Sequence, residues 1–542
     1  MTLIERPPAA KLTPTRLMIL VAVFLLLTAN WTFLERVSNL YPWNVDNAGF
    51  LLSTGIILCC LLVLIEVIFS LLLPVRVVAS LLILLSAVVG YFSDQLGIVL
   101  DASMIRNILE TDVNEAADLI SYGLALRLLL LGMAPVALIW WLPIRKASTL
   151  LELRYKTQTA AGAIALVAIC VLPFGDHYAS FLREHKPVRY YTNPVFPVYS
   201  LGKYLGQTLT GSEAHAFVAL AKHAQRQPAD TRRELVILVI GETARADHFS
   251  LNGYHRNTNP RLSMENSLIS YSDISSCGTS TATSVPCMFA YAGRKDFDLD
   301  SSSYTENVLD ILKRSGVDIL WRDNNSDSKG VATRVNYQDF KSPGVNTACD
   351  VECRDIGMLD GLQEYIDAQQ RTVLIVLHQM GSHGPAYFKR YPKAFETFQP
   401  ACQSPELSKC SRDEIVNAYD NTILYTDYFL SKVIELLKHN TPRFETAMFY
   451  VSDHGESLGE SGIYLHGLPY MFAPDAQKKV PIITWIGDSS NIDYESSLTQ
   501  KDVPNSHDAL FGALLSAFEI QTDLNLPEQQ TLVYLKDNYE GR

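Results

Sequence analysis

Glu242, Asp453 and His454 each stand just beyond a short apolar run, and that placement makes them candidates for chemistry. Leu235-Val-Ile-Leu-Val-Ile240 breaks at Gly241 into Glu242, Val373–Leu377 runs into His378-Gln-Met-Gly-Ser-His383, and Ala447–Ser452 runs into Asp453-His454-Gly455-Glu456. Such runs predict strands buried on both faces. In open α/β sheets ligands gather beyond the carboxyl ends of the strands, so three strand ends would present Glu, His and Asp-His to one rim. Glu242, Asp453 and His454 are hard or borderline donors; with one hydroxyl oxygen they would complete a tetrahedral zinc shell. The hydroxyl has five candidates. Ser276-Cys-Gly-Thr-Ser-Thr-Ala-Thr-Ser-Val-Pro286 carries Thr279, Ser280, Thr281, Thr283 and Ser284 ahead of the apolar Val285, Met288 and Phe289, the pattern of a helix N-terminus. Free N–H groups and the helix dipole favour anions there, which suits nucleophilic attack on phosphorus. Binding to Zn²⁺ would lower the hydroxyl pKa enough for that attack. Spacing does not choose among the five.

The elements that must position these groups begin at about residue 234. Strand-like runs (Leu235–Ile240, Val317–Trp321, Val373–Leu377, Ala447–Val451, Pro481–Trp485) alternate with helical patterns near Asn307–Arg314, Asp355–Ala368, Asp413–Lys438 and His507–Phe518. This alternation predicts a doubly wound α/β sheet with helices on both faces. Ser506 reads as the N-cap of the last helix.

The N-terminal third is different in kind. Apolar runs at about Leu17–Phe33, Phe50–Leu73, Val77–Phe92, Leu124–Leu142 and Ala160–Phe174 approach the ~20 residues needed to cross a bilayer and predict five spans. Arg6, Lys11 and Arg16 precede the first, Arg76 lies between the second and third, and Arg145, Lys146, Arg154 and Lys156 lie between the fourth and fifth. Those segments are expected on the cytoplasmic side, which leaves everything after the fifth span outside. Glu66, deep in a span, reads as a buried interhelical contact, and Arg127 as a snorkelling side chain. Residues 1–180 then form the transmembrane domain, 181–232 an aromatic and basic linker suited to the headgroup layer, and 233–542 the outer domain.

Two compositional features bear on surroundings. A formal charge of −12 argues against a nucleic-acid partner, which would require clustered Lys and Arg. Cys277, Cys287, Cys349, Cys353, Cys402 and Cys410 all follow the last span and lie close in pairs; they predict Cys277–Cys287, Cys349–Cys353 and Cys402–Cys410 bridges and an oxidising compartment. In the outward loop 101–120, Asn107, Thr111 and Glu115 recur every four residues and share one helix face; spacing alone favours a solvated acidic surface.

Gly241-Glu-Thr-Ala-Arg245, Ser276–Cys287, Trp321-Arg-Asp-Asn-Asn-Ser-Asp-Ser-Lys-Gly330, His378-Gln-Met-Gly-Ser-His-Gly-Pro385, Ser452-Asp-His-Gly-Glu-Ser-Leu-Gly459 and Tyr464-Leu-His-Gly467 resemble the lipid A phosphoethanolamine transferases, the group of the mobile colistin-resistance enzymes. The resemblance spans nearly the whole chain. It implies a five-helix transmembrane bundle in the bacterial inner membrane and a periplasmic alkaline-phosphatase/sulfatase-like domain. By the same resemblance Thr281 is the nucleophile, Glu242, Asp453 and His454 with Thr281 hold zinc, and Asn325, Lys329, His383 and His466 hold the phosphoryl group or a second zinc. Asn107, Thr111 and Glu115 match the face that takes the donor, phosphatidylethanolamine, which reverses the reading from spacing. The acceptor is then lipid A, and a monomer is expected. One departure is the short spacing of Cys349 and Cys353. Transfer to a core sugar or Kdo, or phosphoglycerol transfer, would use the same motif set, whereas a sulfatase would need a Cys-x-Pro-x-Arg segment that the chain lacks.

Overall fold

A computed structural model describes residues 12–110, 113–145, 148–210, 216–226, 232–526 and 531–536, without the side chains of 113–115, 207, 209 and 210. The chain packs as two compact units, one of residues 1–105 with 120–208, the other of 106–119 with 209–542.

In the first unit, helices Val45–Ser70, Val75–Leu96, Tyr122–Trp141 and Thr149–Glu184 are long and apolar enough to cross a membrane, and Pro14–Ala29 with Trp31–Leu40 makes a fifth span if the bent pair is counted as one. The expected first span, Leu17–Phe33, therefore breaks. The helix axes turn by 66° at Asn30, whose buried amide donates to Leu25 O at 3.0 Å and Asn193 O at 2.7 Å. Asn193 reciprocates from its own amide to Ala29 O and Ser86 O. The freed carbonyls of the bend are thus satisfied inside the bundle, where water cannot do it. Arg127 does not snorkel; it pairs with Asp94 at 2.7 Å and donates to Thr28 O. Glu66 is fully buried, and neither carboxylate oxygen accepts a hydrogen bond among the described residues. The segment expected as a linker is helical at Gly175–Glu184 and Val195–Thr210, and residues through 208 pack with this unit.

The second unit is built on an eight-stranded sheet. In chain order its strands are β1 (Arg233–Gly241), β2 (Leu268–Ser275), β3 (Asp318–Asp323), β4 (Asn336–Asp339), β5 (Val373–His378), β6 (Phe444–Ser452), β7 (Lys479–Ile486) and β8 (Asn505–Ser506). Their spatial order is β8-β2-β7-β6-β1-β5-β3-β4, and β7 alone runs against the others. Every residue of β1 after Arg233 is buried, as central placement between two parallel neighbours requires. Alternate residues Val236, Leu238 and Ile240 enter one core with Phe289, Trp321 and Leu514. The expected helix Asp355–Ala368 divides at Gly361 (φ 69°) into a 3₁₀ turn, Asp355–Leu359, and a helix, Leu362–Ala368. Helix Arg412–Asn440 starts on a Ser411–Glu414 capping box.

The three expected cysteine pairs are present as disulfides. The described residues between 106 and 119 lie between two spans in sequence, yet they group with the second unit. Arg106 pairs with Asp300 at 2.9 Å, and Asp118 pairs with Arg390 at 2.9 Å and with Lys389.

Candidate metal centre and active site

Strand registry brings the carboxylates together. Gly241 is opposite Ser452 in the parallel pair β1–β6, so the chain leaves both strands at one level, with Glu242 and Asp453 side by side. Position 241 must be glycine, because a Cβ there would lie 2.4 Å from the Tyr450 hydroxyl oxygen of β6. Thr243 then takes a left-handed conformation (φ 53°) and its amide donates to Asp453 Oδ1 at 3.1 Å. Asp453 Oδ1 also accepts from the amide of His454 at 2.7 Å.

Glu242, Asp453 and His454 are all buried, and one ligand atom of each lies within 4.8 Å of the others. His454 Nε2 is 3.5 Å from Glu242 Oε1 and 3.3 Å from Asp453 Oδ2. Thr281 Oγ1 is 3.1 Å from Glu242 Oε2 and 3.3 Å from His454 Nε2. His454 Nδ1 faces Gly455 O at 3.0 Å; since that carbonyl can only accept, Nδ1 carries the proton and Nε2 offers its lone pair to the cluster. Burial pushes the Asp453 carboxyl up and the His454 imidazole well below their usual ranges. Among the described residues no Lys or Arg pairs with Asp453, so its buried charge calls for another cation. Ligands at about 2.0–2.1 Å from a tetrahedral zinc stand about 3.3 Å apart. The separations around His454 Nε2, 3.3 Å to Thr281 Oγ1, 3.3 Å to Asp453 Oδ2 and 3.5 Å to Glu242 Oε1, lie near that value, so the cluster is of a size that would take a metal ion.

Thr281 is the first residue of helix Thr281–Met288. Two of the competing hydroxyls are engaged elsewhere. Thr279 donates to Leu468 O at 2.6 Å, and Ser284 donates to Asp453 O. A cavity of about 500 Å³ is lined by Ala282 and Pro286 of the same helix, by Ala290, and by Arg106, Glu110 and Lys329.

A family model described as sulfatase matches residues 234–520, and one described as phosphoethanolamine transferase EptA/EptB matches residues 57–209. The chain is 44% identical over 522 residues to phosphatidylethanolamine transferase Mcr-2 of Escherichia coli, covering 94% of this chain and 96% of that one. This chain belongs to the phosphoethanolamine transferases. It is also 36% identical over 517 residues to the phosphoethanolamine transferase EptA of Escherichia coli K12 (93% and 94% covered). The solved integral membrane lipooligosaccharide phosphoethanolamine transferase A of Neisseria meningitidis superposes with a TM-score of 0.90 at 32% identity, covering 94% of this chain and 96% of that one.

Around the centre of this phosphoethanolamine transferase the remaining expected residues take distinct places. Asn325 Nδ2 donates to Glu242 Oε2 and to Gln379 O, both at 2.8 Å. Lys329 Nζ donates to Glu110 O at 3.2 Å. The His466 ring lies 4.3 Å from that of His454, tilted by 43°, with the His383 ring 5.5 Å from His466 and edge-on to it. Burial pushes the His383 imidazole well down. Asn107 is half-buried on helix Ala102–Glu110; Thr111 and the side chain of Glu115 lie outside the described residues.

Other supporting groups were not apparent in the sequence. Glu456 accepts from Tyr387 at 2.6 Å and faces His466 Nδ1 at 2.8 Å. Asp355, fully buried, accepts from the amides of Met380 and Gly381 and so holds the loop before His383. Arg390, tied to Asp118, donates to His383 O at 2.7 Å. His378, the expected strand-end group, turns instead to Asp323 at 2.9 Å.

Proposed function

We propose that this transferase moves phosphoethanolamine from phosphatidylethanolamine to a phosphate of lipid A through a covalent phosphoethanolamine-threonine at Thr281. The convergence of Thr281 Oγ1, Glu242, Asp453 and His454 at 3.1 to 3.5 Å carries this reading. A zinc ion held by these four groups would polarise phosphoryl oxygens and ease ionisation of the hydroxyl. Thr281 directs its proton toward Glu242 Oε2, which Asn325 orients, and its oxygen attacks the donor phosphorus. The bond from phosphorus to the diacylglycerol oxygen breaks, and diacylglycerol leaves with a proton. First-turn N–H groups of helix Thr281–Met288 favour the anionic phosphoryl group beside them. The acceptor phosphate then attacks the same phosphorus, the bond from phosphorus to Thr281 Oγ1 breaks, and Thr281 takes up the proton that the acceptor phosphate gives up. His383, His466 and Lys329 line the place where the phosphoryl oxygens or a second zinc would sit. Relatives named for phosphatidylethanolamine and Kdo(2)-lipid A support the substrate classes. Each transfer adds an ammonium to lipid A and lowers its negative charge, which supports a role in polymyxin resistance. Mass spectrometry of lipopolysaccharide from cells with and without the protein tests the acceptor; no phosphoethanolamine on lipid A phosphates would reject it.

Asn107, Thr111 and Glu115 are read as the donor face, and Asn107 belongs to the catalytic unit. Glu115→Gln is expected to raise the KM for phosphatidylethanolamine about tenfold, the worth of roughly one ion–ammonium contact. Zinc content should stay unchanged. Steady-state transfer from fluorescent phosphatidylethanolamine measures this, and an unaltered KM would return the loop to a solvated surface.

The inner membrane, with the catalytic unit in the periplasm, is supported by the Lys and Arg distribution and by the three disulfides. Alkaline phosphatase fused after Gln227 should be active, and fused at Lys146 inactive. The reverse pattern would place the catalytic unit in the cytoplasm.

A further inference from the structure

His507 lies outside the four-residue centre, yet it touches both chain segments that build it. It occupies the N-cap position of helix Asp508–Ala517 without making a capping bond. Ser506 was the expected cap; its hydroxyl does accept from the Asp508 amide at 3.3 Å, but it stands one residue early. The His507 ring is instead turned fully into the interior. A local rule broken in this way calls for a compensating role.

The ring's two nitrogens have different partners. Nδ1 lies 3.1 Å from the Cys277 amide, and Nε2 lies 2.9 Å from Ser452 O. A backbone amide only donates and a carbonyl only accepts, so Nδ1 holds the lone pair and Nε2 the proton. Cys277 is on the segment that enters helix Thr281–Met288, four residues before Thr281. Ser452 is the last residue of β6, next to Asp453 and His454. A second link runs parallel to the first. Ser284, one turn into the helix, donates to Asp453 O, accepts from the Gly278 amide at 3.3 Å, and lies 3.3 Å from His507 Nδ1. The nucleophile's helix and the ligand-bearing strand end are therefore joined through one imidazole and one hydroxyl.

We propose that His507 is a positioning residue for the transfer reaction, a neutral strut between the Cys277 amide and the Ser452 carbonyl that sets the distance from Thr281 Oγ1 to Asp453 and His454. It touches no substrate. The proposal rests on Thr281 being the nucleophile. A misplacement of about 1 Å between reacting groups costs on the order of 100-fold in rate, so a strut of this kind is visible in kcat.

Three substitutions separate its two bonds. His507→Asn keeps an acceptor near Nδ1 and loses the donor to Ser452. His507→Gln can reach Ser452 O with its amide N–H and loses the acceptor for Cys277. His507→Phe keeps bulk and loses both. In the full-length enzyme in detergent, kcat per folded, zinc-loaded molecule should fall about 100-fold in His507→Phe and about tenfold in each amide variant. The KM for phosphatidylethanolamine should stay within about twofold. If the Phe variant does not fold, the Asn and Gln variants carry the test.

A second readout is the affinity for zinc in chelator competition, with no substrate present. His507→Phe should weaken zinc about as much as Thr281→Ala does, and the double variant no more than either alone, because both changes remove the same donor oxygen from the shell. Wild-type kcat in all three His507 variants while Thr281→Ala is inactive would overturn the strut and leave the nucleophile in place. Additive zinc losses would do the same. Turnover by Thr281→Ala would instead overturn the nucleophile, and the strut with it.

Discussion

Thr281→Ala is expected to abolish phosphoethanolamine transfer while leaving the fold intact. Both half-reactions pass through the Thr281 oxygen, so its loss should cost on the order of 10⁴-fold or more in kcat, the scale found when a covalent nucleophile is removed. The structural loss is small by comparison. The side chain is half-buried and its hydroxyl gives up a 3.1 Å hydrogen bond to Glu242, worth about 1 kcal/mol. Alanine also suits the first turn of a helix. Thr281→Ser should retain part of the activity, because the hydroxyl remains while the methyl that restricts χ1 is gone. Intact-protein mass spectrometry after exposure to phosphatidylethanolamine should show one added phosphoethanolamine on the wild type and none on the alanine variant. An adduct on Thr279 or Thr283, or persistent turnover by Thr281→Ala, would sink the assignment.

What could be read in the chain beforehand follows from how much apolar patterning each segment carries. β1, β5 and β6 are continuous buried runs that stop at Glu242, His378 and Asp453, so both their burial and their chemical ends were legible. β2 was not, because Leu268–Ser275 alternates apolar residues with serines on an outer strand, and β4 was not, because Asn336–Asp339 is an exposed edge of four residues with Tyr337 as its one apolar-bodied side chain. The same logic applies at the site. Glu242, Asp453 and His454 are legible because they stand just beyond the ends of apolar runs. His507 was hidden beside Ser506, where a cap is the ordinary explanation, and its role depends on the Cys277 amide, 230 residues away in the chain. Residues 106–119 could be seen as a loop between spans, but their attachment to the sheet unit rests on Asp300, Lys389 and Arg390, which no local pattern connects to them. The choice of Thr281 among five hydroxyls came from family resemblance. Geometry supplies a physical reason for it, since Thr279 and Ser284 are committed to backbone carbonyls.

Asp453→Asn should uncouple stability from zinc, and it should do so in opposite directions with and without the metal. The amide is nearly isosteric and can keep its oxygen on the amides of Thr243 and His454, so the turn after β6 should survive. Without metal, Asp453 is a fully buried carboxylate next to Glu242, and burial already disfavours its charge. Replacing it by a neutral amide removes one of two adjacent buried anions, so the metal-free variant should melt no lower than the metal-free wild type. With metal the order reverses. Zinc at roughly 1,000 times its dissociation constant stabilises a folded protein that alone binds it by about 4 kcal/mol. An amide in place of a charged ligand should forfeit most of that, and with it the transfer activity. Thermal unfolding of the full-length enzyme in detergent, with chelator and with added zinc, measures both effects. A variant whose melting temperature still rises with zinc as the wild type's does would show that Asp453 is not a ligand, and the metal centre would have to be placed elsewhere.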